Sequence, residues 1–85
     1  MNKEEIEKEI KTIILSLASE NGVVRDEISS DEIIPHSGYL DSSAIVKLIL
    51  DIENKYSLTI EEEELTLSNL GTVNSIVSFI INKKS

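Results

Sequence analysis

The chain has 85 residues and no cysteine, and its sixteen acidic against eight basic side chains give a formal charge of −8. That length makes residues 1–85 one domain with a thin core and little room for a deep active site. The negative field disfavours nucleic acid and anionic membrane, and the missing thiols exclude a disulfide framework or a thiolate metal site.

Residues 1–11 are charged throughout and do not read as a signal peptide, and no apolar run approaches a membrane span, so a cytosolic protein is expected. Ile6, Ile10, Ile13, Ile14 and Leu17 recur at helical spacing against a face of glutamates and lysines, which predicts a first amphipathic helix. Asn2 is its expected N-cap, with Glu5 three residues on, and Asn21-Gly22 its stop. Residues 22–40 show no sustained period and read as a long loop. Ile33-Ile34-Pro35 argues for extended backbone, because the residue before proline avoids the helical region. Val24, Ile28, Ile33 and Leu40 are the expected anchors of this loop to the core.

A second helix is predicted from Asp41 or Ser42 to about Tyr56, with Ile45, Leu48, Ile49, Ile52 and Tyr56 inward and Val46 and Leu50 off that stripe. Residues 57–60 read as an extended connection. The four glutamates at 61–64 suit either the start of a short helix or an acidic loop. Residues 68–72 read as a loop that ends in Thr72, the N-cap of a last helix with Val73, Ile76, Val77, Ile80 and Ile81 inward. Lys83 and Lys84 complement the negative end of its dipole. The sum is an all-α fold: a four-helix bundle of three main helices and one short one, with a long first loop.

The stretch "GYLDSSAIVKLIL" places an acid and two serines at the mouth of the second helix. Three readings compete. Capping needs only one of Asp41, Ser42 and Ser43. A serine nucleophile has His36 and Asp41 nearby, but nothing resembles the G-x-S-x-G elbow and no oxyanion hole is in view. Attachment is the third: a serine at a helix start offers its hydroxyl to a visiting enzyme, and a phosphodiester there would meet free backbone N–H groups and the positive end of the dipole. Asp41 would repel that phosphate, so its expected role is binding the modifying enzyme or its metal ion.

The same stretch, extended to "GYLDSSAIVKLILDIENKYSLTI", resembles the phosphopantetheine attachment segment of acyl carrier proteins and peptidyl carrier domains. Gly38, Leu40, Asp41, Ser42, Ile45, Leu48, Ile49, Glu53, Tyr56 and Ile60 match that pattern, and "NLGTVNSIVSFI" is similar to the family's last helix. The resemblance implies a bundle of the acyl-carrier type. It also implies that a phosphopantetheinyl transferase moves 4′-phosphopantetheine from coenzyme A, with magnesium, onto Ser42. The arm's thiol would then hold an acyl or aminoacyl group as a thioester for a loading enzyme and downstream synthases. The chain itself would do no chemistry and hold no metal of its own. Ser43 stands where a large apolar residue is usual, and Ala44 and Lys47 stand where fatty-acid carriers show acids. The stretch therefore looks closer to stand-alone aminoacyl carriers, including the D-alanyl type, or to small carriers of secondary-metabolite pathways. Ser43, Val46, Lys47 and Leu50 are the expected partner contacts, and a monomer is expected. The alternative is a small acidic interaction module with a carrier-like fold that is never modified.

Overall fold

The structure, a computed structural model, describes residues 2–34, 38 and 40–84; Pro35, His36 and Tyr39 lie outside the described residues. Every regular element among the described residues is helical: α1 (Lys3–Glu20), α2 (Ser42–Tyr56), α3 (Leu67–Leu70) and α4 (Val73–Lys84), with a 3-10 turn at Glu62–Glu64. The expected all-α bundle, three main helices and a short one, is what forms.

Local chemistry sets the ends of α1. The Asn2 side chain accepts from the Glu5 N–H at 3.1 Å. At the other end Gly22 takes φ +84, and its N–H reaches the Ser19 carbonyl at 3.0 Å while the Val23 N–H reaches that of Ala18 at 2.9 Å. This paired closure uses glycine where a side chain would be strained. Ile6, Ile10, Ile14, Leu17 and Ala18 are buried, each large one contributing about 1.5–3 kcal/mol of apolar burial.

The second helix runs antiparallel to α1. Lys47 lies 3.7 Å from Glu20 at one end, and Lys55 lies 3.8 Å from Glu9 at the other. These exposed pairs contribute little individually. The Tyr56 hydroxyl is the firmer link, donating to Glu9 Oε1 at 2.6 Å, the length of a charge-assisted bond. Burial, then the hydrogen bond and charge of Glu9, push the Tyr56 hydroxyl above its ordinary value of 10.0. Its folded pKa is therefore raised, and the stability it supplies is full below pH 10.0 and falls as pH rises beyond it, because the unfolded chain ionises first. Tyr56→Phe is expected to cost about 1 to 2 kcal/mol at neutral pH. The variant should also show a flatter alkaline limb when urea midpoints are followed from neutral pH upward.

Two features of the first loop and one of the third connection differ from the sequence reading. Val24 is 81% exposed and Ile33 is 45% exposed, so neither anchors the loop; Ile28, Ile34 and Leu40 are buried, and Val23 is half-buried. The glycine closure of α1 turns Val23, not Val24, back onto the helix. Ile34 is drawn inward by its N–H, which donates to the Gly71 carbonyl at 2.7 Å. Residues 68–70 are helical rather than loop: Thr66 caps α3 by accepting from the Asn69 N–H at 3.2 Å. A helix of four residues is too short to print a period in the sequence. Just before it, at the start of the 3-10 turn, the Glu64 carboxylate accepts from the Glu61 N–H at 2.8 Å.

Thr72 begins α4 as expected, its Oγ1 accepting from the Ser75 N–H at 3.0 Å. Phe79 joins Val73, Ile76, Val77 and Ile80 in the core, while Ile81 is half-buried. Lys83 stands 5.8 Å from the Phe79 ring centroid and donates to Glu64 at 2.6 Å, tying the 3-10 turn to the end of α4.

Candidate functional site

The approach to α2 begins at Gly38, whose φ of +83 lies in the left-handed region. Leu40 is buried and fixes the chain to the core two residues later. Asp41 then takes the cap position: its Oδ1 accepts from the Ala44 N–H at 2.8 Å, and its carbonyl accepts from the Ile45 N–H at 3.0 Å. Capping thus falls to the acid and leaves both serines free of that duty.

Ser42 is the first residue of α2 and Ser43 the second, and both are exposed. Their own N–H groups belong to the opening turn, where no intrahelical acceptor exists. An exposed hydroxyl beside free amide donors at the positive end of a helix is a setting that suits a phosphodiester. The chain's residues therefore fit a phosphate-linked group at this position, with Asp41 as the cap that starts the helix there. His36, the base of the nucleophile reading, lies outside the described residues.

Val46 and Leu50 follow Ser42 at successive intervals of four, so the three share one ridge. Val46 is 55% and Leu50 51% exposed. Lys47 sits on the side facing α1, near Glu20. Ala44 is buried, a position where a carboxylate would lose its hydration. The acid and the aromatic late in α2 have structural work: the Glu53 carboxylate accepts from the Ile60 N–H at 2.8 Å, and Tyr56 binds Glu9.

Between α2 and α3 lies an apolar cavity of about 210 Å³. Ile45, one turn after Ser42, and Ile49 line it from α2; Leu67 and Leu70 line it from α3. Ile52 and Ile76, both fully buried, form its floor, and the half-exposed Leu65 and Leu67 its mouth. Thr66 is the polar member of the lining, and its hydroxyl is engaged as the cap of α3. The walls come from segments far apart in the chain, so no local pattern announces them.

Comparison with known proteins identifies the family of the chain. Residues 11–80 match the family described as phosphopantetheine attachment site, and the chain belongs to that family. It is a carrier protein whose prosthetic group is covalent 4′-phosphopantetheine. Its relatives carry two names. A D-alanyl carrier protein of Streptococcus suis (strain 98HAH33) is 29% identical over 86% of this chain and 92% of its own length. An acyl carrier protein of Exiguobacterium sibiricum is 32% identical over 94% of this chain and 95% of its own length. An acyl carrier protein of Buchnera aphidicola subsp. Baizongia pistaciae is 35% identical over 88% and 90% respectively. Membership of this family implies partner enzymes in biosynthesis. Among the described residues no helix is long and apolar enough to cross a membrane.

Proposed function

We propose that residues 1–85 are one non-catalytic carrier domain in which Ser42 is the attachment residue. A phosphopantetheinyl transferase would place the arm there from coenzyme A. The observation that carries this is the exposed Ser42 hydroxyl at the first position of a helix already capped by Asp41. Bound there, the arm supplies a thiol to a chain that has none. The domain's own contribution is to hold the attachment point and present it beside a docking face. Val46 and Leu50 give that face its apolar ridge, with Ser43 and Lys47 alongside.

The cavity favours an aliphatic acyl tail as cargo. An aminoacyl group, one of the classes that the resemblance of residues 38–50 brings in, would bring an ammonium that finds no free acceptor among those aliphatic walls. Such a cargo would remain outside.

The test is intact mass after incubation with a broad phosphopantetheinyl transferase and coenzyme A, followed by peptide mapping. One added phosphopantetheine on the peptide that holds Ser42 is the expected result. No gain with any transferase would instead favour the unmodified interaction module. Asp41→Asn separates the two roles of the acid, because asparagine caps as well as aspartate. Its stability should stay within ~0.5 kcal/mol of the parent, while its modification slows about tenfold, equivalent to about 1.4 kcal/mol of transition-state binding. An unchanged modification rate would leave Asp41 a cap alone.

A further inference from the structure

Lys47 follows Ser42 by five residues on α2, roughly 7.5 Å along the helix axis at 1.5 Å per residue. Side chains on a helix lean toward its N-terminus, so the stem of Lys47 carries its amine toward the end that bears Ser42. The side chain is exposed, with Nζ 3.7 Å from Glu20 at the close of α1. Ala44 and Leu48, to either side of it in the chain, are buried, so the backbone that bears both Ser42 and Lys47 is fixed.

The other described lysines stand away from that end of the molecule. The first two helices are antiparallel, and Lys3, Lys8 and Lys11 lie toward the end of α1 where Glu9 meets Lys55. Lys55 itself is thirteen residues past Ser42, roughly 20 Å along the axis. Lys84 reaches the Ser57 carbonyl at 3.4 Å, beyond the last turn of α2, and Lys83 is taken up by Glu64. Among the described residues, Lys47 is thus the primary amine at the attachment end of α2.

We propose that Lys47 is an acyl acceptor, a modification site that takes the acyl group from a thioester held at Ser42 and becomes an amide. This rests on the reading that Ser42 bears the arm. The unprotonated Lys47 amine attacks the thioester carbonyl carbon. A bond forms from that carbon to Nζ, the bond from carbon to sulfur breaks, and the proton lost by nitrogen goes to sulfur. The arm returns as a free thiol, and no further reactant is consumed. Attachment to the same chain raises the effective concentration of thioester at Lys47 far above that of a free thioester in solution. Glu20 is the restraint, because its carboxylate holds the Lys47 head against the close of α1. The amide carries no charge, so the transfer ends this ion pair and removes a positive charge from the face beside Val46 and Leu50.

The test charges the chain from acetyl-coenzyme A with a transferase, so that the arm arrives acetylated, and then ages it at neutral pH. Acetyl brings no aliphatic tail for the cavity to shelter. Hydroxylamine strips the remaining thioester, and intact mass with peptide mapping counts the acetyl left as amide. The expected result is acetyl amide on Lys47, formed at a rate unchanged by dilution and about tenfold or more above that at Lys55. Lys47→Arg keeps the positive charge and should lose this signal. Glu20→Gln should speed the transfer about two- to fivefold, the strength of an exposed ion pair. An unchanged rate in Glu20→Gln would overturn the restraint. A chain that holds its acetylated arm overturns the acceptor role, and leaves the arm on Ser42 standing, if it shows no acetyl amide, amide spread evenly over its lysines, or a rate that falls on dilution. A chain that takes no arm at all overturns both.

Discussion

Ser42→Ala should gain no mass from coenzyme A and a transferase, whereas Ser43→Ala should be modified as fully as the parent. Both serines are exposed in the first turn of α2, so accessibility alone does not choose between them. Position does. Successive residues of a helix diverge by about 100°, and Ser42 is the one in line with Val46 and Leu50. It also directly follows the capping Asp41. Alanine is well tolerated at the start of a helix, and a surface change of this kind stays within ~0.5 kcal/mol. A lost mass gain in Ser42→Ala therefore reports a missing nucleophilic oxygen rather than a misfolded chain. Modification that survives in Ser42→Ala and disappears in Ser43→Ala would move the attachment point by one residue and detach it from the ridge.

The largest effect on stability is expected at Ile52. Its side chain is fully buried on the floor of the cavity. Truncation to alanine removes its apolar burial and adds void to a space that already exists, so little collapse can offset the loss. Buried isoleucine to alanine costs about 2–5 kcal/mol, and Ile52→Ala belongs in the upper half of that range. An 85-residue domain has a total stability of roughly 4–13 kcal/mol, so this one change takes a large share. The measurement is a urea midpoint, with an unchanged slope showing that the denatured state is not what moved. Val46→Ala is the matched control: the side chain is half-exposed on the ridge, and its loss should stay within ~0.5 kcal/mol. A loss below about 1 kcal/mol for Ile52→Ala would mean that the floor is not sealed.

The three long helices were legible because each repeats its apolar spacing over several turns and carries its own cap, Asn2, Asp41 or Thr72. The helix mouth was legible for the same local reason: cap and serines are neighbours in the chain. Residues whose burial depends on a distant partner were not. Ile34 turns in because Gly71, far along the chain, accepts its N–H, and no pattern within the loop distinguishes it from Ile33. The third helix is too short for a period, so the wall it builds, and the cavity behind it, went unseen. Ala44 and Phe79 fell outside the isoleucine and leucine stripes, yet both are buried.

The burial of Ala44, Leu48 and Ile52 on α2, with Tyr56 bonded to Glu9 of α1 at the far end, keeps the mooring of any tether stationary in the molecule's own frame. A group attached at Ser42 would sweep a region whose centre does not wander. Its local concentration at a docked enzyme is then governed by tether reach and approach angle.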